Sequence, residues 1–127
     1  MTADDHLKLL QQGVDPWNRW RSEHPEIPPP DLSGTNLSWT DLTGANLSGA
    51  KLNGADFSGS NLSGADLHEA NLSGADLHEA DLRRADLHEA NLSGADLRWV
   101  DLRWTDLRGT KFNGADLTGA KLEEIKR

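Results

Sequence analysis

From Asp31 onward every fifth residue is large and apolar. The run comprises Leu32, Leu37, Leu42, Leu47, Leu52, Phe57, Leu62, Leu67, Leu72, Leu77, Leu82, Leu87, Leu92, Leu97, Leu102, Leu107, Phe112, Leu117 and Leu122, nineteen pentamers in succession. A five-residue period fits neither regular element. It advances an α-helix by about 1.4 turns, so these side chains would spiral around the axis. In a straight strand an odd period sends alternate centres to opposite faces. The chain must therefore reorient inside every pentamer, so that each centre points inward again.

The flanking residues support such a corner. Before the centre stands Asp in eleven pentamers, Asn in five and Lys in three. Two before it the residue is small, mostly Ala, with several Thr, Ser60, Val100 and, at the start, Pro30 as variants. Gly follows the centre by two in eleven pentamers. Small Ala suits a narrow interior, and Gly, Asn and Asp are turn residues. The pattern predicts short strands and corners wound into a coil that stacks on itself, an all-β solenoid with the nineteen centres as its core. Residues 61–80 spell NLSGADLHEA twice, and His-Glu follows Leu67, Leu77 and Leu87. A ten-residue repeat maps onto itself in a four-sided coil and would be scrambled in a three-sided one.

The tandem A-(D/N)-L-x-x pattern of residues 31–125, about three quarters of the chain, resembles the pentapeptide-repeat family. That resemblance implies a right-handed quadrilateral β-helix with four pentamers per coil, the centre and the preceding Ala facing inward. Nineteen pentamers then make nearly five coils, a rod of roughly 20–25 Å at the strand spacing of a sheet. The expected organisation is an N-terminal helical cap and Pro-rich lead-in over 1–30, the β-helix over 31–125 and a tail at 126–127.

A solenoid needs its end edges covered. Residues 2–12 read as a short helix with Thr2 as N-cap, Leu7 and Leu10 on one face and Gly13 as the stop. A second helix is expected to start at Asp15-Pro16 and to run to about Glu23, ahead of Pro25. Trp17 and Trp20 would form its lid over the first coil, a partner-binding hairpin being the other reading. At the C-terminal end three outcomes stand: an open coil, a coil covered by Ile125, or pairing with a second copy.

Composition limits the function. The chain has 127 residues, 35% of them hydrophobic, a net charge of −8 and no cysteine. The acidic balance argues against direct nucleic-acid binding and an anionic membrane surface. Thiolate chemistry is excluded. No apolar run approaches the roughly 18 residues of a membrane span, and MTADDHLKLL lacks a signal pattern, so a cytoplasmic location is expected.

Residues twenty apart should share a surface column. Gly34, Gly54, Gly74, Gly94 and Gly114 form a bare strip, read as turn chemistry or as a flat face for another rod. Asp56, Asp76, Asp96 and Asp116 line one face, and Asp66, Asp86 and Asp106 the opposite one. Such columns repel unless compensated, and the local reading is that they accept hydrogen bonds from nearby backbone. His68 stacks with His88 while His78 lies opposite, without the ligand pattern of a zinc site. Neither a metal nor any other cofactor is expected.

The C-terminal third changes character. Arg83, Arg84, Arg98, Trp99, Arg103, Trp104 and Arg108 replace Ser and Gly at outward positions, with Arg84 one coil below Trp104. Trp and Arg are enriched at binding hot spots, so Arg84, Arg98, Trp99, Arg103, Trp104 and Arg108 are the candidate partner-binding residues. Covering the rod is their other reading. The expected function is a non-catalytic structural or protein-interaction module, monomeric or weakly homodimeric, with an unidentified protein partner. The family resemblance implies an alternative, a DNA-mimicking modulator of a type II topoisomerase such as gyrase. Against it, residues 31–127 hold sixteen acidic and ten basic residues, a modest −6, and the Arg/Trp patch interrupts the acidic columns.

Overall fold

The computed structural model describes all residues, 1–127. Two helices come first, α1 (Ala3–Gln11) and α2 (Val14–Glu23). Thr2 and Asp5 form a reciprocal capping box at the start of α1: the Thr2 hydroxyl accepts from the Asp5 amide at 3.2 Å and the Asp5 carboxylate accepts from the Thr2 amide at 2.9 Å. The second helix begins two residues earlier than Asp15 as N-cap and Pro16 as first residue would place it, with Gly13 as its N-cap. Gly13 reverses the chain in a single residue at φ 117°, a backbone angle that glycine tolerates. Asp15 and Pro16 therefore fall in the first turn, where proline's missing amide has no partner to lose.

From Asp31 the backbone forms sixteen parallel bridges, each joining a residue to the one twenty ahead, from Asp31↔Lys51 to Asp106↔Lys126. The coil is thus twenty residues, four pentamers, round. Each side contributes one bridge residue rather than an extended strand, because the rest of the pentamer is consumed by the turn. The bonding around Leu77 represents the scheme. Its amide donates to Asp96 O of the next coil at 2.8 Å, and Asp96 N returns a bond to Ala75 O at 2.9 Å. Glu79 N reaches Arg98 O at 2.9 Å, and Ala80 N closes the turn on Leu77 O at 3.0 Å.

That turn demands a left-handed residue two after each centre. All nineteen such positions comply, the eleven glycines at φ 65–75° and Trp39, Glu69, Glu79, Arg84, Glu89, Trp99, Trp104 and Glu124 at φ 56–61°. Left-handed backbone costs an L-residue about 1–2 kcal/mol, so these eight hold their places against local energy.

The centres from Leu32 to Leu102 are at most 1% exposed, with Ala45 to Ala95, Ser60 and Val100 filling the corners between them. The core ends sooner than the sequence predicts. Leu107 is still buried, Phe112 and Leu117 are only partly covered, and Leu122 is 41% exposed. No coil stacks beyond them, and the half-buried Ile125 does not replace one.

At the other end Trp17 is fully buried and Leu10 nearly so, while Leu7 and Trp20 pack partly covered against the core. Polar side chains of the helical segment meet the first coil's edge. Trp17 Nε1 donates to Asn46 O at 2.7 Å, Asn18 accepts from Asn46 N at 2.7 Å, and Arg21 donates to Ser48 O at 2.9 Å. His6, itself buried, lies 3.3 Å from both the amide and the carbonyl of Asp31. Neither helix is long and apolar enough to cross a membrane.

Candidate functional site

The outward side chains obey one local rule. Every Asp and Asn before a centre accepts, through Oδ1, the amide two residues on, in all sixteen pentamers that have one. In most pentamers the side chain at that second position adds a bond to the same Asp or Asn. Where it is Ser or Thr, the hydroxyl donates, as Ser58 does to Asp56 at 2.6 Å, except at Ser63 and Ser93, where the amide alone does. These hydroxyl and amide bonds hold Asp31, Asp41, Asp56 and Asp116 below the usual carboxylate range. The acidic columns are therefore compensated locally.

Arginine at that position makes a fork. Arg83, Arg98, Arg103 and Arg108 each donate Nε and one terminal nitrogen to the Asp two residues earlier, at 2.9 and 2.7 Å. The fork drives Asp106 down to about 2, its hydrogen bond with Arg108 being the main cause. Arg83 also lies 3.9 Å from Asp101, one coil up. Of the predicted binding arginines, Arg98, Arg103 and Arg108 thus spend their charge on their own carboxylates. The recurring Asp-Leu-Arg triplets carry this pairing in the sequence, a signal that composition alone hides.

Arg84 differs. It occupies the left-handed corner position, its guanidinium lies 5.0 Å from the Trp104 ring, and no carboxylate pairs with it. Arg103 approaches the same indole at 5.4 Å. The structure therefore brings Arg84, Arg103 and Trp104 together as a cation–π cluster on one corner. Trp99 stands on the neighbouring corner and lies over Gly119 of the next coil, where a Cβ would collide with its ring. Trp39 covers Gly59 in the same manner, three coils from Trp99 in sequence register. Trp99 and Trp104 remain 64% and 46% exposed. Arg98 and Arg108 point from other sides of the coil.

The histidines repeat the arginine geometry. Nδ1 of His68, His78 and His88 sits 2.5–2.6 Å from Oδ1 of Asp66, Asp76 and Asp86. The rings of His68 and His88 stack at 4.9 Å, 2° from parallel. These hydrogen bonds raise the affinity of His78 and His88 for their protons. Asp66, His68 and Asp86 could offer one ligand atom each within 4.8 Å, as could the sets around His78 and His88. In the latter two sets, however, Asp96 and Asp106 are already forked by Arg98 and Arg108.

The hollows are shallow and superficial. One of about 450 Å³ lies between Gln12–Pro16 and the first coil, and another of about 410 Å³ is lined by Met1, His6, Ile27, Pro28, Pro29 and Asp31. A third, of about 250 Å³, is walled by Thr43, Ser63, Gly64, Arg83 and Arg84. Sequence reasoning missed the part of Thr43 and Ser63 in it, because they resemble every other turn hydroxyl until Arg84 stands above them.

The family model for pentapeptide repeats matches residues 31–59, 60–98 and 95–125, in 8 copies. Among solved structures, a pentapeptide repeat protein from the thylakoid lumen of Arabidopsis thaliana is 41% identical with a TM-score of 0.70, over 71% of this chain and 63% of that one. Rfr23, a pentapeptide repeat protein from the cyanobacterium Cyanothece 51142, is 35% identical with a TM-score of 0.70, over 79% of this chain and 65% of that one. The chain thus spans less than two thirds of the length of either. No curated protein matches it. With nearly all of residues 31–125 inside the match, the chain belongs to the pentapeptide repeat family, whose members are right-handed quadrilateral β-helices.

Proposed function

We propose that this chain is a non-catalytic interaction module: a right-handed rod of nearly five coils, covered at its N-terminal end by α1 and α2, that presents its Arg/Trp corner to a protein partner. The observation that carries this reading is the placement of Trp99 and Trp104. Both are exposed, and both hold a left-handed corner that eleven other pentamers give to glycine. Neither contributes to the buried core, so an outside contact is the natural return for the strain. A filled interior and outward carboxylates occupied by their own turns leave no nucleophile–base pair to support catalysis. A cytoplasmic location and a monomer or weak homodimer belong to the same reading.

The topoisomerase alternative ranks second. A duplex mimic needs an uninterrupted acidic field, whereas Arg98 and Arg108 neutralise Asp96 and Asp106 on the two acidic faces. Affinity capture from cell extract, comparing the wild type with a Trp99→Ala/Trp104→Ala variant, tests the interaction reading. Loss of specific captured proteins in the variant supports it, and recovery of the same set by both refutes it.

A further inference from the structure

The geometry points to a carboxylate-binding site at Arg84, formed by its guanidinium and the Ser63 hydroxyl at the hollow beside Trp104, for a Glu or Asp side chain of an acidic partner segment. This inference rests on the interaction reading and names the chemistry of the partner. Five arginines stand on the rod, and four of them are forked onto carboxylates two residues earlier. Arg84 cannot fork in this way, because it stands three residues after Asp81, whose two oxygens already bind Arg83. It is instead laid against the Trp104 face, which orients a guanidinium without consuming its in-plane donors.

The groups around those donors fit an anion. Toward the hollow, the residues one and two coils below in the same two columns are Ser63, Gly64, Thr43 and Gly44, all uncharged. Gly64 leaves the approach unobstructed, with no atom close to where its Cβ would stand. Ser63, like Ser93 on the opposite face, differs from Ser38, Ser58 and Ser73, whose hydroxyls donate to the Asn or Asp of their own pentamers, and of the two only Ser63 lines the hollow with Arg84. Only its amide makes that bond, so its hydroxyl is left to donate elsewhere.

Charge decides the kind of anion. Arg83 and Arg103 are balanced by Asp81 and Asp101, so the corner offers one uncompensated positive charge. On the far side of Trp104 the same columns continue to Glu123 and Glu124. A single carboxylate matches that single charge. A phosphate polymer would carry further anions against Asp41, Asp81, Asp101 and these glutamates.

The test is a titration of the full chain with acetyl-Gly-Glu-Gly-amide, followed by amide and indole nitrogen–proton correlation spectra. Saturable shifts at the Trp104 indole and the Ser63 amide are expected, with the Gly-Gln-Gly peptide inert. Arg84→Gln should weaken the binding about tenfold, as loss of a charge-assisted bond does. Lys111→Gln, exposed on the opposite face, should leave it within about twofold. No shift at tens of millimolar peptide, equal binding by Arg84→Gln, or equally tight binding of inorganic phosphate at Trp104 would each overturn the assignment. If the peptide leaves Trp104 unmoved while Trp99→Ala/Trp104→Ala still loses captured proteins, the corner docks something other than a carboxylate and this inference alone fails. If peptide binding depends on Arg84 but capture does not depend on the tryptophans, the carboxylate site stands and the wider reading falls.

Discussion

Leu77→Ala measures what the solid interior contributes. Leu77 stands in one column between Phe57 and Leu97, and all three are fully buried. The substitution removes about three carbon atoms' worth of apolar volume and the contacts they make above and below. The hole closes only if the neighbouring coils move, and the ladder restrains them: Leu77 N is bonded to Asp96 O at 2.8 Å and Phe57 N to Asp76 O at 2.7 Å. Poor collapse places the cost high in the Leu→Ala range, at about 3–5 kcal/mol. Leu122 provides the internal control. Its pentamer spells the same centre, yet it is 41% exposed and has no coil above it. Leu122→Ala should cost no more than about 1 kcal/mol, the scale of a partly exposed substitution. Urea denaturation of both variants, with midpoint and slope read by circular dichroism, makes the comparison. Equal losses, or a loss below about 1 kcal/mol at Leu77, would refute the view that stacked centres hold the rod together.

Backbone strain and titration provide two further checks. Gly74 sits at φ 66° with no atom near its Cβ position, so Gly74→Ala should cost about 0.5–1 kcal/mol, the left-handed penalty less the unfolded-state freedom that glycine loses. The reverse change, Glu79→Gly, should stabilise by about 0.5–1 kcal/mol once the glycine's extra unfolded-state freedom is deducted; a destabilised Glu79→Gly protein would show that the left-handed corners are not strained. For pH, His78 and His88 have raised proton affinities, chiefly from hydrogen bonds to Asp76 and Asp86. Their contribution is full below the unfolded value of 6.5 and disappears as pH rises through the raised folded values. Asp106 works in the opposite sense: its contribution is full above 3.8 and is lost as pH falls through about 2. The thermal midpoint should therefore decline on the alkaline side of 6.5 in the wild type but not in His78→Asn/His88→Asn, and Arg108→Gln should be less stable than wild type above 3.8 while losing less on acidification from 3.8 to about 2. Superimposable pH profiles would remove both assignments.

Much of this architecture is local in origin, and for that reason it was legible in the sequence. A five-residue apolar period excludes helix and straight strand, and the repeated decamer selects four sides, so the positions of the inward columns and the twenty-residue register follow from spacing. The Arg84–Trp104 contact follows too, since residues twenty apart share a corner. Capping by Thr2 and Asp5 is equally local, depending on side chains three residues apart.

Other features depend on what stands one coil away or which rotamer prevails. Whether Phe112, Leu117 and Leu122 are buried depends on a further coil, which no pentamer encodes for itself. Asn18, Arg21 and His6 meet the first edge because α1 and α2 fold back over it, contacts spanning 25–28 residues. The sequence displays an Arg/Trp patch and the Asp-Leu-Arg triplets that neutralise four of its arginines, but only tertiary geometry lays Arg84 against the Trp104 face without a carboxylate of its own. Spacing determines where a side chain starts; burial and charge are set by the atoms it meets at its end.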